Sequence, residues 1–263
     1  MPHKPIRRQR WRRVVSRDKA TEWKISMSNN AVTNTLDKDL GSLGNAWNVP
    51  APVNGAVTLS GSSSMMEWAT GPDAGHGYGT YTVTAKVDGN QPGPAVILWP
   101  GDNQWPGQEF NMVEITPDGS GRQYGTVHWN NNGSDAYQTV VYDGVSSGQF
   151  HDYTMVWEPG KISFKVDNTE MGSFTENIPA DFNNGGMNNT IGVLNNNPST
   201  SITVSNIQFT PLGEQAVSVV TSAAAQVDVA VTSIAVADTG YVDWDALAAT
   251  ATANFEATGQ WFL

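Results

Sequence analysis

Two carboxylates with an amide between them stand out in "GQEFNMVEI", residues 107 to 115: Glu109, Asn111 and Glu114. The run around them is apolar and strand-like. On a regular strand, odd and even residues face opposite sides. Glu109 and Glu114 would then point apart, as two separate solvent-facing groups. One extra residue between Asn111 and Glu114, a β-bulge, resets the alternation and puts all three side chains on one face. Four regular steps then separate the glutamate Cα atoms by about 13 Å. With each side chain reaching inward, the carboxyls lie about 5 Å apart. That spacing suits a nucleophile and an acid flanking one glycosidic bond, whereas inversion needs ~6.5–9.5 Å to admit a water between them.

Aromatic residues crowd this stretch. Trp99 and Trp105 precede it and Trp129 follows on a later strand. Flat rings stack on the apolar faces of sugar rings, so these three are candidate substrate platforms. Trp157, in "YTMVWEPG", reads as core instead. "LWPGDNQWPG" carries too much Pro and Gly to be strand throughout and is expected to be a loop that brings Trp105 to the rim of a cleft. His128, in "TVHWNN", lies beside this set. It is either a hydrogen-bonded packing residue or a positioner of a carboxylate.

Strands must supply the frame. "TYTVTAKV" (80–87) alternates Tyr81, Val83, Ala85 and Val87 with Thr and Lys, the period of a half-buried strand. "AVILW" (95–99) is apolar throughout, as in a strand buried on both faces. "FHDYTMVWEPGKISFKVDN" holds two alternating runs around an "EPGK" hairpin turn, and "TIGVL" and "SITVSNIQF" add two more strands. No amphipathic helix is evident between residues 27 and 212. Many short strands at this spacing predict an all-β sandwich of two antiparallel sheets, or a barrel.

Charge divides the chain. Eight of the 14 Lys and Arg precede residue 24, beside only two acids; the remainder has six basic residues against 23 of the 25 acids, a net charge of −17. An acidic body disfavours nucleic acid and suits a neutral polymer. Residues 1–24 read as a basic, disordered tail without the apolar run of a secretory signal. Residues 25–212 form the candidate domain. Residues 213–263 are Ala/Val/Thr-rich, acidic and free of Lys and Arg. They resemble in composition the C-terminal signals of bacterial type I secretion; a linker or a short extra segment is the other reading. No stretch is long and apolar enough to span a membrane. The chain has no cysteine, which excludes disulfides and thiolate metal sites.

Together these motifs resemble glycoside hydrolase family 16, the laminarinase and lichenase group. "WPGQEFNMVE" is similar to the family's Glu-x-Asp-x-x-Glu signature behind a "WP" loop. "GHGYGTYTVTAKV", "GTVHWNN", "FHDYTMVWEPGKISFKVDN" and "SITVSNIQF" resemble its flanking strands, in order. The resemblance implies a β-jelly roll, concanavalin A-like, with two curved antiparallel sheets and a concave substrate groove. It implies a retaining endo-hydrolase of β-linked glucan or exopolysaccharide, with Glu109 as nucleophile, Glu114 as acid/base and His128 beside them. The departure is Asn111, where the family has Asp. An amide there is expected to donate to Glu109 and lower its pKa. Loss of catalysis, leaving a glycan-binding module, is the alternative. A polysaccharide lyase on the same fold would need a cation beside a uronate, and the body has one Arg, Arg122. No cofactor is required. A structural calcium on the convex side is compatible with the plentiful Asp and Asn, but no spacing singles out ligands. The expected partner is a polysaccharide met outside the cell by a secreted bacterial monomer. Linkage specificity depends on groove loops.

Overall fold

The computed structural model describes residues 31–213. The basic segment 1–24 and all but the first residue of the acidic segment 213–263 lie outside them. The described residues form strands β1 (Val32–Asn34), β2 (Asn45–Trp47), β3 (Val57–Ser60), β4 (Ser63–Met66), β5 (Gly79–Asp88), β6 (Pro94–Pro100) and β7 (Phe110–Ile115). They continue as β8 (Gln123–Asn131), β9 (Ser134–Tyr142), β10 (Phe150–Glu158), β11 (Lys161–Val166), β12 (Thr169–Phe174), β13 (Asn189–Asn195) and β14 (Ser201–Pro211). One 3₁₀ turn, Phe182–Asn184, is the only helical element among the described residues.

These strands make two antiparallel sheets. The back sheet runs β1-β14-β5-β10-β11-β12, with β3 also paired to β14; the front sheet runs β2-β4-β13-β6-β7-β8-β9. Neighbours that are distant in sequence, such as β5 with β14 and β6 with β13, give the crossovers of a jelly roll.

Alternation decides what each sheet buries. Tyr81, Val83, Ala85 and Val87 on β5 point between the sheets, where they meet Met155 and Trp157 of β10. From the front sheet, Val96 and Leu98 of β6 and Phe110, Met112 and Val113 of β7 complete this core. Fully burying one such side chain contributes about 1.5–3 kcal/mol. A second, smaller apolar cluster, Met66, Ala95, Ile97, Trp99 and Leu194, covers the other face of the front sheet. The unbroken apolar run of β6 therefore has a cause: its even residues face the core and its odd residues face this second cluster.

Turn chemistry fixes the register. β10 and β11 join through Pro159–Gly160, with Gly160 at φ +71° and Glu158 opposite Lys161. His151 Nδ1 lies 2.6 Å from Asp167 Oδ2, tying the start of β10 to the end of β11. That contact gives the paired "HDY" and "KVDN" motifs a structural reason.

Candidate active site

The bulge is present, and Met112 is the extra residue. On one side Val113 pairs with Val96 while Asn111 pairs with Ile97, so Met112 is passed over. On the other side Glu114 opposes Tyr124 and Asn111 opposes Thr126, so two residues, Met112 and Val113, face one, Gly125. Met112 and Val113 both bury their side chains in the core. The alternation resets, and Glu114 turns to the face that carries Glu109 and Asn111.

A bulge leaves backbone groups outside the ladder, and these need partners. The Tyr142 hydroxyl, from β9, donates to the Met112 carbonyl at 2.6 Å. Gly125 makes room for it: a Cβ there would stand 2.3 Å from the Tyr142 hydroxyl and 2.8 Å from the Phe164 ring. Gly125 and Tyr142 thus hold the kink from behind. Sequence reasoning missed both, because their partner lies 30 residues from Tyr142 and no local pattern announces it.

The site itself is a pocket on the outer face of the front sheet, lined by Ala95, Ile97, Glu109, Asn111, Glu114, Leu194 and Asn196. Gly192 allows a tight floor, since a Cβ there would press to 2.7 Å on Met66 and 3.2 Å on Ile97. Glu109 stands just before β7, and its carbonyl accepts the His128 amide at 2.8 Å. Asn111 Nδ2 donates to Glu114 Oε2 at 2.9 Å. Thr126 Oγ1 lies 3.5 Å from the same oxygen, and the nearby Tyr124 hydroxyl also favours the charged form of Glu114. Glu109 Oε2, Asn111 Oδ1 and Asn196 Oδ1 are buried without a hydrogen-bond partner among the described residues. Unpaired buried oxygens are costly, and here they face a cleft where a polyhydroxylated ligand would satisfy them.

Electrostatics follow from this arrangement. Burial pushes Glu109 up to about 7; nearby His128 opposes the shift, the charge of Glu114 adds to it, and Asn111 opposes it. Glu114 is also raised by burial, against the pull of His128, Asn111, Tyr124 and Thr126. The Asn111 amide was expected to act on Glu109. It favours the charged form of both glutamates, but its well-formed bond goes to Glu114, which lies on the same resumed strand. In the free protein the charge of the pair therefore settles more readily on Glu114, which has several donors, than on Glu109, which has an unpaired oxygen.

His128 is buried, with Nδ1 3.0 Å from Asp135 Oδ1. Burial disfavours its charge, but the Asp135 bond and the negative charges of Glu109, Asp135 and Glu114 outweigh that and raise its pKa. Its ring also meets Tyr137 at 5.6 Å and the edge of Trp105 at 5.5 Å. Asp135 and Tyr137, both on β9, are further site residues that sequence reasoning passed over; the alternation of "SDAYQ" after a turn was the available signal.

The three tryptophans differ. Trp105, half-buried, stands on the 101–109 loop against His128, stacked on Trp99 at 5.7 Å and 16°. Trp99 is only 1% exposed, and its Nε1 donates to Asn103 at 2.7 Å. It supports Trp105 from below and offers no open face to a ligand. Trp129 is not brought to the site. It follows His128 on β8 and so faces the opposite side, with Val127 toward the back sheet, while Asn130 returns to the site face and donates to the Pro106 carbonyl at 2.9 Å. Among the described residues no group of three or more His, Asp or Glu is placed to hold a metal ion, and no helix is long and apolar enough to cross a membrane.

No curated protein matches the chain. Among solved structures, a glycosidic hydrolase is 17% identical, with 70% of this chain and 97% of that one covered, at a TM-score of 0.50. A prokaryotic β-1,3-1,4-glucanase (lichenase) derived from a mouse hindgut metagenome is 15% identical, covering 70% of this chain and all (100%) of its own, also at 0.50. A laminarinase from Rhodothermus marinus is 17% identical over 62% of this chain and 80% of its own, at 0.46. The first two likenesses concern the fold alone. The sequence profile of glycosyl hydrolases family 16 matches residues 17–208, most of the chain. The chain belongs to glycoside hydrolase family 16, and its jelly roll is that family's fold.

Proposed function

We propose that the protein is a retaining endo-glycoside hydrolase that cleaves β-1,3 and/or β-1,4 bonds of a β-linked glucan or exopolysaccharide by double displacement at two glutamates. The observation that carries this reading is the bulge at Met112, which turns Glu109 and Glu114 to one pocket wall. In the first step ionised Glu109 attacks the anomeric carbon. The bond to the leaving oxygen breaks, and Glu114 gives that oxygen its proton. In the second step Glu114 takes a proton from water, the water oxygen attacks the same carbon, and Glu109 departs as a carboxylate. Each step inverts the centre, so the product keeps the β configuration.

The productive state holds one proton on the pair, on Glu114. The competing state, with the proton on Glu109, has the same net charge and the same pH dependence. The pH profile therefore reports the pair, while the split between the two states scales the rate. His128, held by Asp135, favours the charged form of both glutamates and so lowers the pH range over which the pair gives up its protons. An extracellular polysaccharide as substrate implies export. Truncation after residue 213 tests that by loss of the protein from culture medium.

The test is reducing-sugar release from laminarin, lichenan and a bacterial exopolysaccharide panel, with the anomer of the first product read by NMR. Release that vanishes in Glu109→Gln and Glu114→Gln, with a β product, supports the reading. One observation favours a second reading, a glycan-binding module. Asn111 donates to Glu114, the group that must carry a proton. Glycan binding without release, unaltered by Glu109→Gln, would select the module.

A further inference from the structure

Ile191 and Val193 of β13 point into the core, so by alternation Asn189 points the same way. It is fully buried, and a buried amide needs partners for both its hydrogens and its oxygen. Asn189 Nδ2 donates to the Leu98 carbonyl at 2.7 Å and to the Gln108 carbonyl at 2.6 Å. Asn189 Oδ1 accepts from Gln108 Nε2 at 2.6 Å, and the same nitrogen donates to the Met187 carbonyl at 2.8 Å. The backbone of Asn189 is held too, by a pair of bonds with His76 at 2.8 and 3.0 Å. Gly75 lets the two chains close, since a Cβ there would stand 2.1 Å from the Asn189 carbonyl oxygen.

These bonds fall where the sheet ends. The β6–β7 ladder closes with Leu98 opposite Phe110, and Glu109 is the last loop residue before β7. The peptide entering Glu109 carries the Gln108 carbonyl, which Asn189 holds from β13. The peptide leaving it carries the Glu109 carbonyl, which accepts the His128 amide at 2.8 Å from β8. The orientations of these two rigid peptides set φ and ψ of Glu109, and with them the direction of its side chain. Glu109 Oε2 has no hydrogen-bond partner among the described residues, so the backbone carries much of the task of aiming that carboxyl.

We propose that Asn189, braced by Gln108, is a positioning residue for Glu109. It fixes the peptide that enters the nucleophile and so aims the carboxylate at the anomeric carbon. This rests on the reading of Glu109 as the nucleophile of a retaining hydrolase. A brace of the fold alone would add stability without setting the rate of the covalent step.

Labelling with an activated 2-deoxy-2-fluoro β-oligoglucoside tests it, because the label reports bond formation at Glu109 apart from later turnover. The readouts are the limiting rate of labelling and the reagent concentration that gives half of it. Asn189→Leu keeps the size of the side chain and removes its three hydrogen bonds. Its limiting rate is expected to fall about ten- to a hundredfold, the effect of a reacting group displaced by about 1 Å, while the half-saturating concentration stays within threefold. Gln108→Met frees the Asn189 amide to turn and should slow labelling by about three- to tenfold; it decides the matter alone if Asn189→Leu does not fold. Val83→Ala opens a cavity in the core from the back sheet. It should lower the unfolding midpoint and leave the limiting rate within twofold. Limiting rates within twofold of wild type in the folded Asn189 and Gln108 variants overturn the positioning role, as does an equal slowing in Val83→Ala. Wild-type protein that takes no label and releases no sugar overturns the hydrolase reading, and this inference with it.

Discussion

Replacing Tyr142 with Phe removes one hydroxyl and nothing else, and that hydroxyl is the partner of the Met112 carbonyl at the bulge. Tyr142 and Met112 are both buried, so water cannot readily replace the lost donor. An unsatisfied buried acceptor costs about 1–3 kcal/mol. In a domain of this size each kcal/mol moves the unfolding midpoint by roughly 2–4 °C, so Tyr142→Phe is expected to lower Tm by about 4–8 °C for a 2 kcal/mol loss. The effect on catalysis should exceed the effect on folding. The bulge aims Glu114, and a displacement of about 1 Å in a reacting group can cost on the order of 100-fold in rate. The expected outcome is a kcat lowered ten- to a hundredfold with KM little changed. Thermal unfolding and reducing-sugar kinetics on one preparation measure both. A Tm within 1 °C of wild type, together with unaltered kcat, would refute the claim that this bond holds the kink.

Gly125→Ala attacks the same point from the other side, because the added methyl would sit 2.3 Å from the Tyr142 hydroxyl; its Tm and kcat should fall at least as far as those of Tyr142→Phe. Burial holds Glu109 at about 7 against an ordinary 4.5, a difference worth about 3 kcal/mol. A raised carboxyl supports folding below pH 4.5, and that support is lost as pH rises through 7. Glu109→Gln should therefore be more stable than wild type at pH 8 by up to about 3 kcal/mol and equal to it at pH 4, as read by urea unfolding. His128→Ala removes a cation that favours ionised Glu109, so the acidic limb of the kcat/KM profile should move to higher pH; Asp135→Asn should move it the same way by less. Asn111→Asp removes the amide donor to Glu114 and should leave that acid protonated to higher pH, shifting the basic limb up by about one to two pH units, the equivalent of one charge-assisted bond.

Where periodicity governs, the sequence is a good guide to this fold. The alternation of residues 80–87, the solid apolar run of 95–99 and the "EPGK" turn each appear in the structure as read, because a single local rule dictates each of them. The bulge was legible for the same reason: two glutamates five apart cannot share a face without an extra residue. Trp129 marks the opposite case. Its neighbour His128 faces the pocket, so strand parity alone already sends Trp129 the other way, and its ring chemistry drew attention from that rule. Trp99 was hidden differently. Its strand and face were readable, but that the Trp105 loop folds back over it depends on residues 101–109, whose path no period encodes. Asp135, Tyr137 and Tyr142 act across β8 and β9, and such contacts emerge only when register is known. The partner of Asn111 turned on geometry too fine for spacing to decide, since both glutamates lie within reach of one amide.

The proposed double displacement turns on which glutamate forms the covalent bond to sugar. An activated 2-deoxy-2-fluoro β-oligoglucoside traps that ester, and peptide mapping by mass spectrometry locates it. Attachment at Glu109 is the predicted result, with none in Glu109→Gln. Attachment at Glu114 would contradict the assignment of roles, and with it the mechanism built on the Met112 kink.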